Sequence, residues 1–408
     1  MRQYWKRFLV FFSFVTTVLG IAYSFVAVRL TVGLVHPGLI ALVWILAAVS
    51  LLLAPLAFAL RMFQVPERIE KIIAWTSYLS FGFFAMLFAL IASRDLGLVA
   101  VDQVGGIVDR FLPWRDPANL LHPMHREFLV ATSNAALLGL AGGMFVYGVI
   151  RARAIGIERV QVPIDGLPES LHGFTIAQIT DIHIGPTLKR SFALEIVKKV
   201  NNLKADMIAV TGDVVDGSVQ QLRDHTEPFA DLEARHGVFF VTGNHEYYSG
   251  ALSWISEFRN LGFQVLLNEH SVLEHAPGGN VMVAGVTDYR AAEFFDDHRS
   301  DPALALRRAA RGSRSSKEPH VKILLAHQPR SIAGAADAGF DLQISGHTHG
   351  GQFFPGPYLV RLQQPYTKGL HRHGDKTWIY ISRGTGYWGP PIRVGASPEI
   401  TLIELVRR

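Results

Sequence analysis

The sequence FTIAQITDIH, residues 174–183, places an aspartate and a histidine directly after a short apolar run. Such a run of β-branched and apolar residues is typical of a buried strand. Because a rigid strand fixes the loop that follows it, the carboxyl ends of strands are where α/β proteins place functional side chains. The stretch therefore predicts a strand that delivers Asp181 and His183 to a site.

The same arrangement recurs further along the chain. Four other apolar runs each end in polar residues: MIAVTGD at 207–213, VFFVTGNHE at 238–246, ILLAH at 323–327 and LQISGHTH at 342–349. Helical patterns lie between them, as at 189–203 and 251–261. This alternation predicts an α/β domain in which strands are buried against helices.

Each polar group taken alone is a weak signal, since Asp-x-His is mostly a surface or capping pair and Gly-Asp is usually a turn. A lone histidine such as His327 is more often structural. Together, however, five strand ends would bury many Asp and His side chains, for which metal ions are the natural compensation. The chain has no cysteine, which excludes disulfides, thiolate zinc sites and cysteine nucleophiles.

In their order along the chain, Asp-x-His, Gly-Asp, Gly-Asn-His-Glu, a lone His and Gly-His-Thr-His resemble the motifs of the calcineurin-like metallophosphoesterases. The similarity continues in Gly350-Gly351-Gln352 and in SRGTGYWGPPIR at 382–393. These later segments resemble a subgroup of membrane-associated bacterial phosphodiesterases. The resemblance implies a metal-dependent phosphoesterase with a four-layer αββα sandwich and a binuclear metal centre.

Site residues follow from the resemblance position by position. One divalent ion is expected on Asp181, His183 and His349, and the second on Asn244, His327 and His347. Asp213 is expected to bridge the two ions. Oxygen and imidazole ligands suit Mn²⁺, Fe or Zn²⁺, with Mn²⁺ as the first guess.

The resemblance also implies a mechanism in which two metals activate a water as the nucleophile and stabilise charge on the phosphoryl group. His245 matches the position that contacts the phosphoryl group, and an imidazole there can protonate the leaving oxygen. The alternative for His245 is a hydrogen-bond donor behind the ligands. Glu246 and Asp216 are expected to orient the ligands rather than bind metal.

The first part of the chain has a different composition, dominated by long apolar runs up to residue 150. Four stretches reach the roughly 20 apolar residues that cross a bilayer: 8–28, 38–60, 72–93 and 128–150. They predict a transmembrane region over 1–153, followed by a metallophosphoesterase domain over 154–408. Since none of the four contains an acidic or basic residue, they favour anchoring over an ion pathway.

Basic residues flank these stretches, so the net charge of +5 is interpreted as membrane topology rather than as a nucleic-acid surface. One side of the predicted membrane carries the larger number of them: Arg2, Lys6, Arg7, Arg61, Arg68, Lys71, Arg151, Arg153 and Arg159. The opposite side carries Arg29, Arg94, Arg110, Arg115 and Arg126. This imbalance predicts that the catalytic domain lies in the cytoplasm, and the resemblance to bacterial phosphodiesterases implies a bacterial inner membrane.

The leading hypothesis is a membrane-anchored phosphohydrolase of a phosphodiester or pyrophosphate bond. Its expected partners are the bilayer and a phosphorylated small molecule or a lipid-linked substrate, with the oligomeric state left open. One alternative is a phosphatase of soluble nucleotides or phosphoproteins. Others are a non-catalytic membrane sensor or scaffold, and a transporter with a regulatory domain.

Overall fold

Contacts within the chain divide it into two units, Met1–Gly148 and Val149–Arg408. The structure, a computed structural model, describes residues 2–60, 66–111, 123–276, 278–310 and 318–408.

The first unit consists of long helices, which are α1 Arg2–Thr31, α2 Pro37–Leu60, α3 Glu67–Phe111 and α4 Pro123–Arg151. Within the described residues, three segments are long and apolar enough to cross a membrane: Ser13–Thr31, Glu67–Val104 and Arg126–Arg151. In α2 the apolar segment, Pro37–Leu53, is shorter than these. The prediction of four spans is thus confirmed for three, and its second member, 38–60, forms a helix that does not clearly qualify.

The apolar segment of α3 contains charged residues, whereas the predicted span 72–93 contained none. The helix continues past residue 93, where the third span was predicted to end, so Arg94 and Asp95 lie inside its apolar segment. Asp95 pairs with Arg94 at 2.9 Å and with Arg29 of α1 at 2.5 Å. Arg94 also donates to Asn134 Oδ1 of α4 at 2.7 Å. Because charges among apolar helices are costly unless paired, this network explains how α3 tolerates them.

The second unit contains, among its described residues, two sheets of six strands each. The first sheet has the order β1-β12-β2-β3-β4-β5 and the second the order β10-β11-β9-β8-β7-β6. The strands are β1 Gly156–Ile164, β2 Thr175–Ile179, β3 Met207–Val210, β4 Val238–Phe240, β5 Gln264–Val265, β6 Glu269–Ala276, β7 Gly279–Gly285, β8 Val321–Leu325, β9 Leu342–Ser345, β10 Gly369–His373, β11 Thr377–Ile381 and β12 Glu399–Arg407. Both sheets are mixed, since each combines parallel and antiparallel pairs.

Helices of the second unit connect these strands. They are α5 Arg190–Asn201, α6 Val219–Thr226, α7 Asn244–Ser249, α8 Ala251–Asn260, α9 Pro302–Arg307, α10 Ile332–Ala338 and α11 Gly356–Arg361. The expected helices at 189–203 and 251–261 correspond to α5 and α8. The α/β class is therefore confirmed.

The core lies on both faces of the strands, as expected for parallel strands whose sequences are continuous apolar runs. Phe239 and Phe240 of β4 illustrate the arrangement, because successive side chains point to opposite faces. Phe239 belongs to a buried cluster that contains residues of both sheets. Phe240 instead packs against α8, with its ring 4.4 Å from that of Phe258.

This packing holds in place the five strands that precede the predicted ligands. β2, β3 and β4 are consecutive parallel neighbours in the first sheet, and β8 and β9 are parallel neighbours in the second. The carboxyl ends of neighbouring parallel strands lie at the same edge of a sheet. Side chains distant in sequence are thereby brought to common edges.

The packing of Phe239 leads to a stability prediction. Phe239→Ala should lower the free energy of unfolding by about 3–5 kcal/mol, because it leaves a cavity among fully buried residues. Thermal unfolding of the detergent-solubilised protein measures the change. Leu194→Ala, at an exposed position of α5, is the matched control and should unfold within about 0.5 kcal/mol of wild type. Equal losses in the two variants would contradict this assignment of the core.

Candidate metal centre

Two groups of potential ligands form at the strand ends. Asp181 and His183 follow β2 and meet His349, which follows β9. His327, after β8, meets Asp213 and His347. In each group the ligating atoms lie within 4.8 Å of one another. The structure thus brings together six of the seven residues that were predicted from motifs spread over 169 residues of sequence.

The seventh predicted ligand, Asn244, begins α7 beside these groups. The backbone N–H of the next residue, His245, donates to Asp213 Oδ1 at 2.8 Å. Asn244 is buried, and its Oδ1 atom has no hydrogen-bond partner among the described residues. A buried amide oxygen without a partner is costly, and a cation would supply the missing interaction.

Ring nitrogens within the groups face each other at short distance. His183 Nε2 lies 3.0 Å from His349 Nε2, and His327 Nε2 lies 3.2 Å from His347 Nδ1. His327 Nε2 is also 3.1 Å from Asp213 Oδ2. Lone pairs that converge in this way suit a shared cation, and the donor set fits two divalent ions.

The far side of two imidazoles is held by oxygen acceptors. His327 Nδ1 donates to the backbone oxygen of Thr211 at 2.8 Å, and His183 Nδ1 donates to Asp216 Oδ1 at 3.0 Å. Metal-binding histidines are usually oriented by such acceptors, which leave the other nitrogen unprotonated for the ion. Both rings are therefore arranged as ligands.

The two groups are linked through the backbone as well. The N–H of His347 donates to both carboxylate oxygens of Asp181, at 3.0 and 2.9 Å. Glu246 accepts from the N–H groups of Asp213, Val214 and Gly243 at 2.7–2.9 Å, which fixes two ligand loops to each other. Burial and the neighbouring Asp213 raise the pKa of Glu246 to about 7.

Close approach between the loops requires glycine at two positions. A Cβ at Gly346 would lie 2.2 Å from Asp181 Oδ2, and one at Gly243 would lie 2.2 Å from Asp213 Oδ1. No side chain fits at these distances. The Gly residues of the motifs are thus explained by the proximity of the carboxylates.

Five of the predicted ligands have an uncommon backbone conformation. A left-handed conformation is uncommon for residues other than glycine, and it tends to occur at functional sites. Among the predicted ligands it occurs at Asp181 (φ 52°), His183 (φ 55°), Asp213 (φ 53°), His347 (φ 71°) and His349 (φ 50°). Each costs on the order of 1–3 kcal/mol, which the surrounding hydrogen bonds must offset.

His245, the predicted acid, lies beside this centre with its ring 4.7 Å from that of His183. Its Nδ1 donates to Asp216 Oδ1 at 2.5 Å, so one carboxylate oxygen holds both rings. Burial alone would lower the pKa of His245, but the charges of Asp216 and Asp213 outweigh it and raise the pKa to about 9. A raised pKa favours the protonated imidazole, which is the form that a proton donor requires.

Two buried residues near the centre were not assigned a role from the sequence. Asp288 follows β7 and accepts from Gln328, the neighbour of His327, at 3.0 Å. Arg393, at the end of the 382–393 segment, places Nη2 2.8 Å from His349 Nδ1 and donates through Nη1 to the His349 backbone oxygen at 2.7 Å. The position of Asp288 after an apolar run was a usable signal, whereas the contact of Arg393 spans 44 residues.

Arg393 also controls the charge of His349. Burial and the adjacent guanidinium hold the pKa of His349 well below its usual range. A guanidinium only donates, so uncharged His349 accepts through Nδ1 and carries its ring proton on Nε2, and binding of an ion there would displace that proton.

Comparisons with known proteins agree with the site. The family model described as calcineurin-like phosphoesterase matches residues 174–351. An uncharacterized metallophosphoesterase of Helicobacter pylori is 37% identical over 282 residues, which cover 69% of this chain and 71% of that protein. A transmembrane protein with metallophosphoesterase domain from Bos taurus is 33% identical, over 78% of this chain and 74% of that protein. One of the same description from Danio rerio is 36% identical, over 64% and 60%.

The chain therefore belongs to the calcineurin-like phosphoesterases. As in the relatives from Bos taurus and Danio rerio, the phosphoesterase domain occurs together with apolar helices. The expectation of a metal-dependent phosphoester hydrolase is confirmed.

Metal binding by Arg393 variants tests the role of this arginine. Arg393→Gln should weaken Mn²⁺ binding by about 10- to 100-fold, because the partner that orients a ligating histidine is lost. Titration calorimetry on protein stripped with EDTA measures the affinity. Arg407→Gln, which removes an arginine exposed on β12, should bind Mn²⁺ as wild type does.

Thermal unfolding in EDTA shows whether the Arg393→Gln protein is folded before metal is added. Arg393→Lys is the second variant if it is not, since it keeps the charge. Unchanged Mn²⁺ affinity in a folded variant would show that Arg393 does not act through His349.

Proposed function

We propose that this protein is a membrane-anchored hydrolase that cleaves a phosphodiester or pyrophosphate bond with two divalent metal ions. Asp181, His183 and His349 hold one ion in this proposal. Asn244, His327 and His347 hold the other, and Asp213 bridges them. The boundary between anchor and enzyme is taken at residues 153 and 154, and the enzyme as a four-layer αββα sandwich.

The observation that carries the proposal is the unpartnered Oδ1 of Asn244 next to the two ligand groups. It supports a second ion, because the amide oxygen completes the set of Asp213, His327 and His347. Support for the sandwich comes from the buried cluster shared by the sheets and from the two clusters that combine strands with helices.

The chemistry divides between the ions and the chain. When bound, two divalent ions would supply a hydroxide nucleophile at neutral pH and neutralise charge on the phosphoryl oxygens. The chain supplies the proton for the leaving oxygen: Asp216 accepts from His245 Nδ1, which leaves the proton on Nε2 free to be donated. Glu246 and the oxygen acceptors behind His183 and His327 hold the ligands in place.

Hydrolysis of bis-p-nitrophenyl phosphate and p-nitrophenyl phosphate tests the proposal. Activity should vanish on chelation, return with Mn²⁺ and be greater for the diester. Asp213→Asn and His245→Ala should each lower kcat/KM by about 10²-fold or more. His172→Ala, a histidine exposed on the surface, is the control and should retain activity.

The leaving group distinguishes the acid role of His245 from a structural one. Since p-nitrophenolate leaves without being protonated, the loss in His245→Ala should be larger for a diester with an alkyl leaving group. Equal losses for both substrates would assign His245 to orientation alone. A folded, metal-loaded protein inactive on every diester would favour a non-catalytic sensor or scaffold.

The apolar helices support a substrate that is lipid-linked, because an anchor holds the site near the bilayer. A soluble nucleotide or phosphoprotein is the alternative substrate. We also propose that the domain lies on the cytoplasmic side of a bacterial inner membrane. The basic residues that flank the apolar helices support this orientation.

The absence of cysteine makes this orientation directly testable, since the chain gives no background with thiol reagents. Ser253→Cys lies on an exposed position of α8, and Val35→Cys lies between α1 and α2 at 94% exposure. In intact cells a membrane-impermeant maleimide should label Val35→Cys alone, and after permeabilisation it should label both. Labelling of Ser253→Cys in intact cells would place the domain on the outer side.

A further inference from the structure

Two aromatic pairs near the metal centre are divided between the interior and the solvent. In Tyr247-Tyr248, Tyr247 is 6% exposed and packs in the core, whereas Tyr248 is 55% exposed. In Tyr387-Trp388, Tyr387 is 1% exposed and Trp388 is 56% exposed. Ordinary loop packing therefore accounts for the buried member of each pair, whereas the other member exposes about half of its surface to solvent.

Two of the exposed rings lie next to the proposed acid. The ring of Tyr248 is 5.2 Å from that of His245, and the ring of Trp388 is 5.9 Å from it. Phe294, 44% exposed, extends the row beyond Tyr248 at 5.8 Å. We call Trp388, Tyr248 and Phe294 the aromatic stripe. Trp388 and Tyr248 are the members that lie beside His245, and Phe294 lies next to Tyr248.

The stripe is held in place before any ligand arrives. Gln352 is buried and binds the backbone of Trp388 twice, accepting from its N–H at 3.1 Å and donating to its oxygen at 3.0 Å. Tyr248 lies on α7, the short helix that also carries Asn244 and His245. The rings are thus fixed relative to the metal ligands, which reduces the entropy lost on binding.

Large aromatic side chains in water at a reactive centre indicate an apolar partner, because covering them is favourable. The geometry distinguishes between partners. Neighbouring rings in the row, His245 included, are inclined at 54–74° to each other, so no two neighbours stack in parallel. Inclined rings present edges and faces along which a flexible chain can lie.

We propose that the aromatic stripe binds the hydrocarbon chain of the substrate, on the side of the leaving oxygen that His245 protonates. The proposal rests on the proposed phosphodiesterase activity and names its substrate class, a phosphodiester or pyrophosphate whose leaving group carries an acyl or alkyl chain. The apolar helices of the same chain agree with it, since they place the enzyme where such lipids are found.

Symmetrical dialkyl phosphates test the stripe, because the same chain then occupies both sides of the phosphate. The ratio of kcat/KM for dihexyl over diethyl phosphate should be about tenfold or more in wild type, from about twofold per added methylene on a half-exposed surface. In Trp388→Ala and Tyr248→Ala the ratio should fall to within about threefold of unity. Released alcohol is measured by gas chromatography.

Two controls accompany these variants. Leu194→Ala removes a side chain of similar exposure from α5 and should keep the wild-type ratio. Diphenyl phosphate matches the six carbons of each hexyl chain in a flat ring. Because phenol is the better leaving group, binding is compared instead of turnover, and diphenyl phosphate should compete with bis-p-nitrophenyl phosphate less well than dihexyl phosphate does. Trp388→Phe should recover part of the ratio that Trp388→Ala loses.

Each outcome decides for or against the stripe. A wild-type ratio near one, or a ratio unchanged in both alanine variants, would overturn it. Tighter competition by diphenyl than by dihexyl phosphate would replace the chain by a stacked aromatic group. Failure to hydrolyse bis-p-nitrophenyl phosphate would instead refute the proposed function, and the assignment of the stripe would fall with it.

Discussion

The burial of ionisable groups at the strand ends is the constraint on which the rest of this site depends. Asp181, Asp213 and Glu246 are at most 2% exposed, and the imidazoles of His183 and His327 lie against them. Buried carboxylates are expensive unless they are paired or coordinated, so the fold surrounds each one with backbone N–H groups and imidazoles. Those pairings still leave Asn244 Oδ1 unsatisfied. Two divalent ions would interact with the excess acceptors and with the converging lone pairs. Metal binding would therefore explain why the motifs bury so many ionisable groups together.

Strain and stability are coupled at the same place. The left-handed conformations of Asp181 and Asp213 are unfavourable in isolation, but each follows a strand buried on both faces. The strands hold the backbone while Glu246 and the N–H of His347 hold the loops, so the cost is met by hydrogen bonds already present before substrate binds. Preorganisation of this kind is what electrostatic stabilisation of a phosphoryl group requires.

Local sequence predicted the strands correctly where a buried strand is followed by proposed site residues. The strands that precede the ligands were predicted because parallel, doubly buried strands appear as apolar runs that end in polar residues. β1 and β12 were not predicted. β12 carries Glu399, Thr401 and Glu404 among its apolar residues, and β1 pairs with it although the two strands lie at opposite ends of the domain sequence. Glu399 is tolerated because Tyr380 donates to it at 2.8 Å, the Arg383 N–H donates to it at 3.0 Å, and the Arg383 guanidinium pairs with it. The extent of α3 was missed for the same reason: the partners of Arg94 and Asp95 lie on other helices.

One oxygen atom of Asp216 contacts two histidines that have different proposed roles. Its Oδ1 accepts from Nδ1 of His183, a proposed metal ligand, and from Nδ1 of His245, the proposed proton donor. The two imidazoles share the same carboxylate oxygen, and their interactions with it outweigh burial and hold the pKa of Asp216 well below its ordinary value. An ion on His183 Nε2 would increase the acidity of the proton shared with Asp216. That change would weaken the hold of Asp216 on the His245 proton and make His245 a stronger acid. The same carboxylate that positions the acid would thereby make its strength depend on whether the metal site is filled.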